Sequence, residues 1–256
     1  MTFVAIGVTT CNRPSYLFKC LRSLKPLSHP VFVHDDGSDP KFQGEYKRAF
    51  ARLDCVVQKS PVNEGVAKSK NALLRAMLDF GAEWLVLIED DIVVTDGSVI
   101  TKYIDACEST GMAHLSFHAH GPANSGIPGD AAGPITYWPH SVGAFTIFSR
   151  QCLESVGLFD ENMLNAFEHV EHEMRLIHAG FMPGAGAFYF PDATGSEQWL
   201  AEIPGSIEHS AIRPRSDWGQ NIRASLAYWR DTKPDTYVEL FGEGTRLYDY
   251  AQRILA

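Results

Sequence analysis

The sequence predicts an α/β protein organised around a mainly parallel sheet. Short apolar runs rich in Val and Ile alternate with stretches of helical periodicity. The clearest apolar runs end in polar or acidic residues, as strands do where a sheet meets a ligand crevice. No internal repeat or low-complexity linker divides the 256 residues, which favours one domain.

The elements follow in order. Val4–Val8 reads as the first strand, Asn12-Arg13-Pro14-Ser15 as a turn, and Tyr16–Leu24 carries a helical apolar pattern. Val31–Val33 is a second short strand, closed by His34-Asp35-Asp36-Gly37-Ser38-Asp39. Lys41–Leu53 looks helical and Cys55–Val57 extended. Val66–Phe80 is a strong helix, with apolar positions 66, 67, 73, 74, 77 and 78 on a 3.6-residue period. Trp84–Ile88 is the next strand. Gly121–Gly133, rich in Gly, Pro, Ala, Ser and Asn, suggests a mobile loop, Ser141–Phe148 a strand and Leu164–Ala179 a helix stopped by Gly180 and Pro183. Phe188–Phe190 looks extended, and residues 192–220 lack periodicity, as a flap over a site would. Ile222–Trp229 and the tail after Thr245 are again helical.

Composition narrows the function classes. Apolar residues make up 45%, enough for a sizeable core, and the net charge of −9 disfavours a surface that coats nucleic acid, though not a local basic groove. No apolar segment is long enough to span a bilayer. The start, Met1–Gly7, lacks a charged leader and runs straight into a strand pattern. Five widely spaced cysteines without a C-x-x-C pair suit reduced thiols, so a cytoplasmic location is expected.

The densest chemistry lies at Glu89-Asp90-Asp91, directly after the apolar run Leu85–Ile88. Three adjacent acids at a strand end repel one another unless a cation neutralises them, and hard oxygen ligands suit Mg²⁺ or Mn²⁺ carrying a diphosphate. A solvated acidic turn is the competing reading. Asp35 and Asp36 close the second strand in the same way, so all five acids are expected to share one crevice.

The order of these segments resembles the GT-A glycosyltransferases, in particular the family-2-like inverting enzymes. The resemblance rests on Val4–Pro14, on Val33-His34-Asp35-Asp36-Gly37-Ser38-Asp39, on Asn63-Glu64-Gly65-Val66-Ala67-Lys68-Ser69-Lys70-Asn71 and on Glu89-Asp90-Asp91 in place of an Asp-x-Asp motif. Val142–Arg150 followed by Gly157-Leu158-Phe159-Asp160-Glu161 is similar to the family's acceptor-side strand and its Gly-x-Phe-Asp-Glu turn. The likeness covers about the first 180 residues in recognisable order; each motif alone is weak, and their joint order is specific.

The resemblance implies a single-domain GT-A fold, a Rossmann-like mixed sheet flanked by helices. A nucleotide-binding half would occupy about residues 1–95, an acceptor-side half about 96–225 and a helical tail 226–256. It implies metal-dependent transfer of a sugar from a UDP-sugar to an acceptor hydroxyl, with inversion, and Mn²⁺ or Mg²⁺ as cofactor. Asp91 would grip the metal, joined by His209 from the late loop, while Glu89 and Asp90 orient ribose or sugar hydroxyls. Thr9, Asn12 and Arg13 would contact base or diphosphate, Asp35 and Asp36 the uracil imide, and Asn63 and Lys70 the nucleotide pocket. Arg213 and Arg215 would help neutralise phosphate.

Inverting transfer needs one base and no enzyme nucleophile. Glu168, His169 and Glu171 are the candidates. His169 stands where the family usually has Asp, which leaves the choice open, and Glu171 could instead pair with Arg175 at i,i+4. His114, His118, His120, Tyr137, Trp138 and His140 suit a structural or acceptor-lining role better than a second metal site.

The acceptor is either a glycan or lipid-linked intermediate, or a hydroxymethylated pyrimidine in DNA, as phage-type transferases use. Lys68, Lys70, Arg213, Arg215 and Arg223 would form the basic track for the latter. The alternatives are a nucleotidyltransferase on a similar fold, disfavoured by the lack of a Gly-rich loop after the first strand, and a degenerate sugar-nucleotide-binding module. A P-loop, a dinucleotide fingerprint and a zinc-protease motif are absent.

Overall fold

The computed structural model describes residues 2–51, 54–163, 165–183, 190–210 and 217–256. The expected elements at Leu164 and at Phe188 and Tyr189, and the arginines at 213 and 215, lie outside these residues.

The chain runs β1 (Val4–Thr10), α1 (Pro14–Leu24), β2 (Val31–Asp35), α2 (Gln43–Phe50), β3 (Cys55–Lys59), α3 (Val66–Asp79), β4 (Trp84–Glu89) and β5 (Ile92–Val94). It continues with α4 (Val99–Thr110), β6 (His114–Ser116), α5 (Gly121–Asn124), β7 (Asp130–Ala132), β8 (Ile135–Trp138), β9 (Phe145–Ser149) and α6 (Arg150–Val156). Last come α7 (Glu168–His178), β10 (Phe190–Ala193), β11 (Leu200–Glu202), α8 (Trp218–Thr232), α9 (Pro234–Phe241) and α10 (Tyr248–Leu255).

The main sheet has the order β3-β2-β1-β4-β9-β6. Its first four strands are parallel, and β9 runs antiparallel to both β4 and β6. The expectation of an α/β fold with a mainly parallel sheet is met. Two small antiparallel sheets, β10-β8-β7 and β11-β5, complete the topology. One core packs Ile6, Val8, Leu17, Leu21, Val86, Ile88 and Tyr103 on one side of the sheet; another packs Ala5, Leu73, Leu74, Met77, Leu85 and Leu87 on the other. Alternate residues of β1 and β4 therefore feed opposite cores, which is why both strands read as continuous apolar runs. Gly7 lets α3 lie close: a Cβ there would sit 3.0 Å from that of Leu73.

Several boundaries differ from the sequence reading. Gly121–Gly133 holds a helical turn and β7 rather than only a loop. The strand expected over Ser141–Phe148 begins at Phe145, because the carbonyls of Ser141 and Gly143 accept from side chains instead of a ladder. The helix expected from Leu164 begins at Glu168, since Asn165 and Phe167 hold positive φ of 57° and 65°. The tail helices α8–α10 pack around Trp229 and Phe241 and against Met174 of α7. Among the described residues no helix is long and apolar enough to cross a membrane.

Candidate functional site

A cleft of about 360 Å³ lies at the carboxyl ends of β1, β2 and β4. That is within the size range of small-ligand sites. Its walls include Thr9–Cys11, Arg13, Asp36, Asn63 and Glu89–Asp91 on one side and Ser141–Ala144, Asn165, Glu168 and His169 on the other. The loop 202–210 and Trp218 complete it.

The acidic strand end forms as expected, and most of its carboxylates already have partners. Asp90 is buried and accepts from Thr10 Oγ1 at 2.6 Å and from Arg13 Nη2. Burial pushes its carboxyl up to about 7; the repulsion of Asp91 adds to this, and Arg13 and Thr10 hold it back. Asp91 Oδ2 accepts from the same Nη2 at 2.8 Å. Arg13 Nη1 donates to the carbonyl of Ser206 at 3.3 Å, and its guanidinium lies 5.0 Å from the Tyr16 ring centre. Arg13 is therefore the cation that the triple acid demanded, supplied by the chain itself.

The loops behind this edge are locked to each other. Asn12, in the left-handed region at φ 58°, donates its amide N–H to Ser38 Oγ, and its side-chain oxygen accepts from Asp39 N–H at 2.8 Å. Asn12 thus shapes the turn and does not line the cleft. Asp35 is also withdrawn: Oδ1 accepts from Ser38 N–H at 3.0 Å, and Oδ2 pairs with Lys59 at 3.1 Å. This corrects the expectation that Asp35 faces the base. Asp36 does line the cleft, but its oxygens accept from Asn63 Nδ2 and from the amides of Glu64 and Gly65. It builds the 63–65 turn, and burial raises its pKa. Gly37 permits this closeness, since a Cβ there would lie 2.2 Å from the Val62 carbonyl carbon. The Cys11 thiol is pushed up to about 11 by burial beside Asp36, so it is no nucleophile.

On the opposite wall Lys70 is the hub. It is buried beneath the cleft rather than lining it, which corrects its expected pocket contact. Its ammonium meets Glu89 at 3.1 Å, the Gly143 carbonyl at 3.0 Å and Glu168 at 3.4 Å. Burial disfavours the charge, but Glu89 and Glu168 outweigh it and keep the lysine ionised. Glu168 is buried yet held down to about 2, because Lys70 and then His169 overcome the cost of burial. His169 Nδ1 faces Glu168 Oε1 at 3.3 Å and its Nε2 faces the Ser141 carbonyl at 3.4 Å. Two acceptors favour the imidazolium, and the pKa is raised against the effect of burial.

The other candidate base turns away. Glu171 is fully buried and accepts from Arg175 Nε at 2.9 Å and Lys233 Nζ at 2.8 Å, outside the cleft. The i,i+4 partnership is the one that forms. Glu173 is buried behind the wall, accepting from Ser116 Oγ at 2.9 Å and meeting His114 Nε2 at 3.2 Å. His118 is neutral, pushed down to about 3 by burial, and its Nδ1 accepts from Val142 N–H at 3.0 Å. This fixes the segment before β9 that carries the Ser141 and Gly143 carbonyls.

His209 is not brought to Asp91. Its Nδ1 is taken up by Tyr16 OH at 3.1 Å and the Gly205 carbonyl at 2.9 Å, its ring is exposed, and only its neighbours line the cleft. Of the expected basic track, Arg213 and Arg215 lie outside the described residues, and the other three members are placed apart from the cleft lining. Lys70 is buried, Lys68 pairs with Glu64 at 3.6 Å, and Arg223 donates to the Ile254 carbonyl.

Sequence reasoning missed Glu202, Ser206, Asn165 and Trp218, and gave His120 only an unspecific lining role. Glu202 reaches the cleft because β11 pairs with β5, with Ile203 N–H donating to the Asp91 carbonyl at 2.7 Å. A three-residue strand in an aperiodic stretch leaves no readable signal. His120 lines the cleft with its ring stacked on Phe117 at 4.4 Å, where the carboxylates of Glu202, Asp91 and Glu89 partly offset the depression of its pKa by burial.

No family model and no curated protein matches the sequence. Solved structures do match it. The mannosyltransferase PcManGT from Pyrobaculum calidifontis, in complex with GDP-Man and Mn²⁺, superposes with a TM-score of 0.65 at 14% identity, covering 98% of this chain and 72% of that one. GalNAc-T7 with UDP, GalNAc and Mn²⁺ gives 0.63 at 11% identity, covering 99% and 50%. TarS from S. aureus gives 0.60 at 13% identity, covering 97% and 45%, so this chain spans about half of the latter two. At such identities the likeness concerns architecture alone: the chain has the GT-A fold.

Proposed function

We propose that this chain is a metal-dependent glycosyltransferase that moves a sugar from a UDP-sugar to an acceptor hydroxyl with inversion. The charge of the cleft carries the reading. Six carboxylates line it (Asp36, Glu89, Asp90, Asp91, Glu168 and Glu202) against the guanidinium of Arg13, the ammonium of Lys70 beneath Glu89 and Glu168, and the ring of His169. A diphosphate would be repelled by such a lining unless a further cation came with it.

The residues fit a divalent ion of the Mg²⁺ or Mn²⁺ type. Their donors are hard oxygens: Asp91 lines the cleft, is partly exposed and has a second oxygen beyond its Arg13 bond, and Glu89 lines it with a second oxygen beyond its Lys70 contact. Among the described residues no three His, Cys, Asp or Glu side chains form a complete ligand set. Ions of this type in phosphate sites take only one or two carboxylates, with the rest of the shell from phosphate and water, so they do not require a complete protein ligand set. Asp91 would hold the ion, which when bound supplies Lewis-acid stabilisation of the leaving diphosphate, while Asp90, with both oxygens on Thr10 and Arg13, fixes the strand end beside it.

The chain's own groups do the rest. Arg13 adds positive charge beside the diphosphate and ties the 202–210 loop to the strand end. Thr9 and Asn63 flank the nucleotide side. Glu168 is the base: it lines the cleft and is ionised, and Lys70 and His169 hold its carboxylate in place. Both ring nitrogens of His169 face acceptors, Glu168 Oε1 and the Ser141 carbonyl, so neither is directed at an acceptor hydroxyl, and Glu171 is spent on Arg175 and Lys233. The acceptor proton therefore passes to Glu168 as the acceptor oxygen attacks the sugar. The test is UDP release from a panel of UDP-sugars with Mn²⁺, comparing wild type with Asp91→Asn. Metal-dependent release by wild type alone supports the reading; release by neither protein with any donor contradicts it.

A further inference from the structure

A second concavity lies between α1 and α2, lined by Pro14, Phe18, Lys19, Arg22, Arg48 and Ala49, with Ser15 and Glu45 at its side. Its charge is unlike that of the chain. The protein carries −9 overall, yet between residues 14 and 51 six lysines and arginines are exposed (Lys19, Arg22, Lys25, Lys41, Lys47 and Arg48). The acids of that stretch are four, and Asp35 and Asp36 are buried, leaving Asp39 and Glu45 at the surface. Asp39 pairs with Lys41 at 3.5 Å. Among the described residues no carboxylate lies within ion-pair distance of Lys19, Arg22 or Arg48.

We propose that this groove docks a nucleic-acid strand through its phosphodiester backbone. A cationic rim over an apolar floor is what a single strand requires: phosphates meet the rim, and sugars and bases lie on the floor. The apolar atoms are recessed, Pro14 and Ala49 being buried and Phe18 half-buried, so the surface lacks the protruding side chains with which a protein enters a lipid interface. Pro14 directly follows Arg13 of the cleft, which places a bound strand beside the candidate active site. The proposal concerns binding alone, and it stands or falls separately from sugar transfer.

The test is fluorescence anisotropy of a labelled mixed-sequence DNA strand of about 20 nucleotides, longer than the site of one such groove, titrated with the full chain over a salt series. The comparison is with the triple variant Lys19→Ala, Arg22→Ala, Arg48→Ala. Wild type should bind, and the triple variant should bind at least about tenfold more weakly. Its salt dependence should be shallower by about two, since each lost phosphate contact removes about 0.7 from the slope for a single strand. Arg22→Lys with Arg48→Lys should restore most of the binding, and Arg75→Ala with Arg253→Ala, on α3 and α10, should leave it unchanged. UDP binding with Mn²⁺, measured on the same samples, should not move in the triple variant, which separates this proposal from the function of the cleft. Equal binding by wild type and triple variant would overturn it. So would binding to phosphatidylglycerol vesicles or an acidic peptide without binding to the oligonucleotide.

Discussion

The two walls of the cleft are built on different principles. On the nucleotide side, strands β1, β2 and β4 end together, and their acids fall at one edge because parallel strands share a direction. On the other side a single helix, α7, offers Glu168, Glu171 and Glu173, all buried, yet each faces a different neighbourhood. Glu168 meets Lys70 and His169, Glu171 meets Arg175 and Lys233, and Glu173 meets His114 and Ser116. Strand ends assign position by topology, whereas a helix assigns it by phase and partner, and only one of the three carboxylates reaches the cleft.

The largest expected effect lies on the nucleotide wall. Asp91→Asn should lower transfer at least about a hundredfold, as expected for loss of one main electrostatic stabiliser of a leaving group, while the thermal midpoint stays close to that of wild type. A steady-state assay with Mn²⁺ beside a melting curve checks it, and unchanged turnover would remove Asp91 from the metal role.

The acceptor wall should split under paired substitutions. Glu168→Gln should cut kcat by about 10²–10⁴-fold, the usual scale for a lost general base, with UDP affinity retained. Glu171→Gln should keep kcat per folded molecule but lower stability by about 2–3 kcal/mol. That is below the figure for a fully buried pair, because Arg175 and Lys233 are each about a quarter exposed (25% and 27%). Denaturant titration and kinetics on both variants decide this. If Glu171→Gln loses transfer and Glu168→Gln does not, the wall has been assigned backwards.

A smaller effect concerns pH. Glu168 sits at about 2 against an ordinary 4.5, so its contribution to stability is full above about 4.5 and fades as pH falls towards 2. His169 is shifted the other way, above its ordinary 6.5, so its contribution is full below 6.5 and fades as pH rises through the folded value. The stability gap between wild type and Glu168→Gln should therefore be widest between about pH 4.5 and 6.5 and narrower on both sides. In the same variant the His169 pKa, followed by NMR, should fall. A gap that does not vary with pH would mean that the Glu168–His169 pair is not charged as described.

The legibility of the molecule follows the same division. β1, β2, β4 and α3 were readable because burial on both faces gives unbroken apolar runs and a 3.6-residue period. The acidic edge was readable because three adjacent carboxylates after such a run need a counter-charge. Its partner was not: Arg13 lies 77 residues from Asp90, and only the fold joins them. Lys70 looked like a pocket residue, but its helix turns it inward to Glu89 and Glu168. Asp35 and Asp36 are adjacent in sequence and point to opposite tasks, one to Lys59 and one to the 63–65 turn, as successive residues at a strand end do. Glu202 lies in a segment without periodicity and reaches the cleft through β11 pairing, whereas His120 ends an alternating segment and lines the cleft beyond β6 with its ring stacked on Phe117.

The most direct test of the cleft's charge logic is a calorimetric titration of UDP with and without Mn²⁺. Six carboxylates around the cleft predict that UDP binds measurably only when the metal is present. Equal affinity in a chelator would show that Arg13 and its neighbours neutralise the diphosphate alone, and would contradict the metal-dependent account.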